Sequence, residues 1–241
     1  MGNGITRVDE QAKQARAEAA CIDACIEKLD FYHLFWIYTL MSIAGLLIET
    51  AVSFPIDGIW KSRAGLVWGP FSPIYGLGAV LMTVCLHRLR HGNIFALFAV
   101  ACLLGGTFEY MVGTFWQSMF GFVAWDYSTQ PFNFGGKTCL GIALCWGFLG
   151  TAWIKVLLPG VIYVCDLIPE NLRRGITMCA VAITVVDVAA TLVAFQCWFD
   201  RACGIEPANP VAQLANQIFS DEFMANRFQT ISMFPVLTGR V

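Results

Sequence analysis

The chain has 241 residues, of which 57% are hydrophobic, 14% aromatic and only 13% charged, with a mean hydropathy of +0.63. Soluble domains carry about 25% charged residues, so this composition excludes an ordinary soluble fold. A net charge of −2 leaves no basic surface for nucleic acid, and no G-x-x-x-x-G-K-[ST] loop is present for nucleotide hydrolysis.

Residues 1–30 are charged and Ala-rich and lack the apolar stretch of a signal peptide, which predicts a cytoplasmic amphipathic segment. Cys21 and Cys25 share a helical face there, but no histidines stand at ligand spacing, so a metal site is not expected. Apolar runs of bilayer length follow, interrupted only by Glu49, Glu109, Lys155 and Asp187. They predict five transmembrane helices near 33–54, 66–86, 94–117, 139–158 and 176–198. The expected fold is therefore all-α, a polytopic helical membrane bundle with a transmembrane domain over 31–200. Residues 201–241 form a more polar tail, in which Leu214, Ile218, Phe219, Met224 and Phe228 predict an interfacial helix.

Most of the ten cysteines fall in or beside these runs, where a thiol is a small apolar group. Cys197 and Cys203 are spaced to bridge only on an oxidising side. The basic residues set the orientation. Arg7, Lys13, Arg16, Lys28, Arg88, Arg90, Lys155, Arg173 and Arg174 fall on the N-terminal side, against Lys61, Arg63, Lys137, Arg201, Arg227 and Arg240 on the other. The positive-inside rule places the chain in the cell membrane with its N-terminus cytoplasmic and its C-terminus outside. His87 and His91, with Arg88 and Arg90, read as a basic anchor at the cytoplasmic interface, where Lys155 can also snorkel.

A carboxylate within a span costs about 2.5–3.5 kcal/mol on insertion scales, so Glu49, Glu109 and Asp187 must face protein or water. Gly105 and Gly113 flank Glu109 at i−4 and i+4, and Ser42 and Gly45 precede Glu49, so both glutamates sit on small-residue faces that admit a neighbouring helix. Asp187 lies between Thr184 and Thr191 and is either a hydrogen-bonding partner for another helix or a proton relay. Near the start of the second helix, Pro70 and Pro73 break the backbone ladder, and such irregular backbone is tolerated only where it faces protein or a cavity.

The loop at 120–137, between the third and fourth helices, is aromatic, and Asp126, Asn133 and Lys137 are interleaved with Gly121, Pro131, Gly135 and Gly136. Three readings are open: an interfacial belt of Trp125 and Tyr127, a segment that re-enters the membrane, or a lid over the carboxylates. Lys137 is placed to pair with Glu109 or Asp126. The residues singled out for ligand binding are Glu49, Trp68, Tyr75, Glu109, Tyr110, Trp125, Asp126, Tyr127, Asn133 and Lys137.

The run Trp68-Gly-Pro-Phe-Ser-Pro-Ile-Tyr-Gly, the pair Glu109-Tyr110, the stretch Trp125-Asp-Tyr-Ser-x-x-Pro-Phe-Asn and the closing Trp146-Gly-x-x-Gly occur in an order that resembles one family. It is the bacterial membrane family labelled putative ABC transporter type IV, or CmpB-like, which is also similar to the vertebrate transmembrane protein 229 group. The resemblance covers about residues 31–200 and implies a permease subunit without naming a substrate. Lys137 stands where arginine is expected in relatives, which weakens two-pronged recognition of a carboxylate or phosphate there.

The expected function is a permease-like transport component with an outer-facing polar and aromatic pocket, in the lipid bilayer. Its expected partners are a second copy of the chain and a separate ATPase subunit, and nothing in the sequence asks for a cofactor. The alternatives are an accessory or assembly membrane protein and an intramembrane enzyme with Glu49 or Glu109 as general base. No G-x-S-x-G or H-E-x-x-H motif supports the enzyme.

Overall fold

A backbone in lipid must satisfy its polar groups internally, and the long apolar runs do so as helices. The computed structural model describes residues 29–230 apart from 122 and 208, together with Glu10, Lys13, Asp23, Ala24 and Ile26. The amphipathic segment expected over 1–30 lies almost wholly outside the described residues, as do Cys21 and Cys25. The helices are α1 (Phe31–Asp57), α2 (Pro73–Leu86), α3 (Ile94–Phe120), α4 (Leu140–Ala152), α5 (Leu158–Asp166) and α6 (Glu170–Ala202). Two short tail helices follow, α7 (Pro210–Ile218) and α8 (Asp221–Arg227).

Local sequence sets most of the boundaries. The side chains of Asp30 and Asn93 accept the backbone N–H groups of His33 and Phe95 at 3.0 and 2.8 Å, capping α1 and α3. α3 stops at Gly121, whose φ of 63° lets its N–H turn back to the Gln117 carbonyl at 3.1 Å. A π turn, Trp153–Leu157, joins α4 to α5. The Pro159 ring would collide with the Lys155 carbonyl in a regular helix, and the wider winding absorbs that mismatch.

Among the described residues, four helical stretches are long and apolar enough to cross a membrane: Phe31–Pro55, Ile94–Phe120, Leu140–Asp166 and Glu170–Ala202. The second expected span is the exception. Its helix starts at Pro73 rather than residue 66, and with a 3-10 turn it runs only to Leu89. Pro70 and Pro73 lack an N–H and push the residues before them into extended backbone, as at Ser72 (φ −122°, ψ 93°), so residues 66–72 cannot join the helix. The Ser72 N–H instead donates to the Ser42 carbonyl at 3.0 Å, about 17 Å along α1 at 1.5 Å per residue, so α2 begins halfway up the bundle.

Close helix contacts rest on glycines. A Cβ on Gly105 would lie 2.3 Å from Trp146 of α4, and one on Gly45 would lie 2.2 Å from the Tyr75 ring of α2. The pairs α3 with α4 and α1 with α2 are the most extensive packings. Two apolar cores result. One, toward the start of α1, gathers Ile37, Leu86, Leu97, Ile154 and Leu158. The other, at the opposite end, joins Phe120 and Phe195 to Phe219, Met224 and Phe228 of the tail. Leu103, Phe148 and Ile183 point outward at 72%, 68% and 68% exposure, as a lipid-facing surface requires.

The structure adds detail to three expectations about individual residues. The tail carries two faces: Phe219, Met224 and Phe228 are buried against the bundle, whereas Leu214 and Ile218 stay exposed. Lys155 donates to the Arg90 backbone carbonyl, and Arg90 and His91 contact Asp23 at 3.3 and 3.1 Å, so this basic cluster also ties helices to the N-terminal segment. Cys197 and Cys203 are both free thiols, and the buried Cys197 thiol contacts the Ala212 carbonyl at 3.9 Å.

Candidate functional site

Between the two cores lies a cavity of about 850 Å3. Apolar side chains of α2, α3, α4 and α6 form most of its wall, and Glu49, Arg63, Tyr75, Glu109, Trp125 and Tyr127 form its polar end. Glu109, 6% exposed, occupies the small-residue face of α3. The Tyr127 phenol donates to its Oε1 and the Trp146 indole Nε1 donates to its Oε2, each at 3.0 Å. One carboxylate is thereby held by a loop residue on one side and by α4 on the other.

At the same polar end, the Tyr75 phenol stands beside Glu49, and Arg63 Nη1 lies 3.4 Å from Glu49 Oε1. Tyr75 also lies within electrostatic reach of Glu109 and of Tyr127, so two polar groups, Arg63–Glu49–Tyr75 and Tyr127–Glu109–Trp146, stand side by side at the cavity wall. Burial and the adjacent Glu109 carboxylate push the Tyr127 phenol above its ordinary pKa, which keeps it a proton donor at neutral pH.

The 121–139 loop is built largely from its own bonds. Its Phe134–Thr138 bridge is closed by a 2.8 Å bond from the Phe134 N–H, and the Trp125 indole donates to the Lys137 carbonyl at 2.8 Å. Asp126 accepts the Ser128 N–H at 2.8 Å, and the Asn133 amide donates to the Ser128 and Gln130 carbonyls. Gly136, at φ 68°, passes its carbonyl to the Tyr127 N–H at 2.8 Å, a backbone position that favours glycine and that sets the Tyr127 side chain over Glu109.

The opposite wall is the unwound stretch before α2. Side chains from the middle of α6 hold it: Asp187 accepts the Trp68 N–H at 3.1 Å, and Thr191 Oγ1 accepts the Val67 N–H at 3.0 Å. Arg227 of α8 donates to the carbonyls of Leu66, at 2.9 Å, and Gly69. Backbone groups released by Pro70 and Pro73 are thus answered by residues well over a hundred positions away.

Of the ten residues singled out in the sequence, the fold gathers Glu49, Tyr75, Glu109, Trp125, Asp126 and Tyr127 around the cavity. Trp68, Tyr110, Asn133 and Lys137 lie off it. Trp68 faces Phe219 at a ring distance of 6.0 Å, and Asn133 braces its own turn. The Lys137 ammonium lies 5.8 Å over the Tyr110 ring rather than on a carboxylate, because its backbone is pinned by Trp125 and Phe134. Asp187 bonds an unwound segment rather than another helix. Arg63 and Trp146 complete the site but were not among the ten; Trp146 had a signal, in its motif with Gly147 and Gly150.

A family model described as putative ABC-transporter type IV matches residues 36–192, the stretch that contains every cavity-lining residue except Phe195 and Thr230. No curated protein and no solved structure matches the chain.

Proposed function

This chain belongs to the putative ABC-transporter type IV family, and from that membership together with the cavity we propose that it is the permease-like component of a transporter. One observation carries the reading: a buried carboxylate, Glu109, stands at the wall of a large void with both oxygens held by neutral donors. A neutral amide could join the loop and α4 as an acceptor without a charge that costs about 2.5–3.5 kcal/mol to insert. A carboxylate facing a cavity has a use in binding or coupling.

The cavity faces outward in this reading, with the N-terminus cytoplasmic and the C-terminus outside, as the nine-to-six division of Lys and Arg supports. The 31–200 domain forms the transport body, flanked by the N-terminal amphipathic segment and the interfacial tail. A separate ATPase subunit would supply energy, since the chain has no phosphate loop, and a second copy would help to enclose a pathway.

The test is native mass spectrometry of protein purified in mild detergent, beside Glu109→Gln. A small molecule retained by the wild type and lost in the variant is the expected result. An empty wild type accompanied by a stoichiometric membrane partner would overturn it and favour the accessory reading. That reading has its own support in Phe132 and Phe134, which protrude from the loop at 82% and 67% exposure, as at a partner contact. Cysteine labelling across residues 118–137 is expected only from outside; labelling from the cytoplasmic side would reverse the orientation.

A further inference from the structure

We infer that the cavity takes an amphiphilic organic cation, an ammonium group on an apolar body, which enters from the lipid between α4 and α6. The inference deepens the transport reading above and rests on it. Shape sets the size class. About 850 Å3 falls within the roughly 300–1,000 Å3 of sites that enclose drug-sized molecules.

Charge sets the sign. Among the described residues at the cavity wall, Glu49, Glu109 and Asp126 are acidic and Arg63 alone is basic. Arg63 reaches Glu49, and Asp126 caps the Ser128 N–H, whereas both donors to Glu109 are neutral, a phenol and an indole. An anion would meet two glutamates, but a cation meets Glu109 beside the rings of Tyr75, Trp125, Tyr127 and Trp146. A carboxylate among aromatic rings is the chemistry that holds ammonium groups in preference to hydrated metal ions.

The apolar end sets the body and the route. α4 contributes Ile142 and Leu149 to the wall and α6 contributes Val188 and Leu192, yet these two helices do not form one of the extensive packed pairs. Leu149 and Leu192 are 55% and 37% exposed, which opens this end toward the lipid-facing surface while the polar end stays covered by the 121–139 loop. A ligand arriving from the bilayer would lead with its charged head toward Glu109 and leave its apolar part between the two helices.

The experiment uses the full chain in nanodiscs, titrated separately with tetraphenylphosphonium and with tetraphenylborate, ions of near-equal size and opposite charge, with empty nanodiscs subtracted. Saturable binding of the cation is expected, about tenfold weaker in Glu109→Gln and in Leu149→Trp, which fills the lipid-side mouth from an exposed position. Monodisperse elution of both variants checks their folding. Preferential binding of the borate, or cation binding that ignores Glu109→Gln but not Leu149→Trp, overturns the ligand class and leaves a ligand site in place. Binding of neither ion, by wild type or variants, removes the cavity as a ligand site and the transport reading with it. Phosphatidylglycerol nanodiscs are compared with nanodiscs containing phosphatidylcholine. Weaker cation binding in the latter upholds the class and assigns the site to a lipid ammonium headgroup, and equal binding upholds it for a free amphiphile.

Discussion

The two walls of the cavity are built in opposite ways. On the Glu109 side, the 121–139 loop closes on itself through bonds between residues a few positions apart, such as Asp126 with Ser128 and Asn133 with Gln130. On the Glu49 side, the stretch before α2 has almost no internal ladder and is held by Asp187, Thr191 and Arg227, which lie 119, 124 and 161 positions away. Loops satisfied locally retain their shape when a neighbour shifts. Backbone satisfied from a distance moves with whatever holds it, so the α6 and tail contacts can set the shape of that wall.

The sharpest break in this comparison is at the helix contact beneath both walls. Gly105→Leu would drive side-chain atoms into Trp146, where even a Cβ lies 2.3 Å from a ring-bearing carbon, and is expected to abolish monodisperse folded protein on gel filtration. The distant wall comes next. Asp187→Ala removes a buried carboxylate and leaves the half-buried Trp68 N–H without its acceptor, and should cost about 1–3 kcal/mol, read as a lower thermal midpoint in detergent. Arg227→Met removes the donor to two freed carbonyls and should increase protease cleavage in residues 60–72 with no effect on the 121–139 loop.

Smaller effects belong to the local wall. Tyr127→Phe deletes one of the two hydrogen bonds to Glu109 and should cost about 0.5–1.5 kcal/mol while leaving the loop folded. Asn133→Ala, in an exposed turn, should lower the midpoint by less than Tyr127→Phe. If the order were reversed, with Asn133→Ala exceeding Asp187→Ala, the contrast between a self-supporting loop and a remotely held one would fail.

Much of the fold was legible because bilayer length and charge exclusion act on consecutive residues. The runs around Glu49, Glu109 and Asp187 announce helices whichever neighbours they meet, and the glycines flanking Glu109 announce close packing that Trp146 then fills. Pro70 and Pro73 marked a break, but not that it would shorten the second helix by seven residues, since that depended on whether α6 could answer the freed N–H groups. The family, too, was legible, because its motifs are short stretches of fixed spacing.

The sequence by itself therefore determined the membrane setting, the helical class and the presence of three costly carboxylates, all properties of local composition. Only the tertiary structure decided what each carboxylate meets. Glu109 received Tyr127 and Trp146, Glu49 received Arg63 and Tyr75, and Asp187 received the backbone of Trp68. The physical reason is that a charge in an apolar run must find a partner, while the choice among phenol, guanidinium and backbone N–H depends on which segments the packed helices bring within about 3 Å.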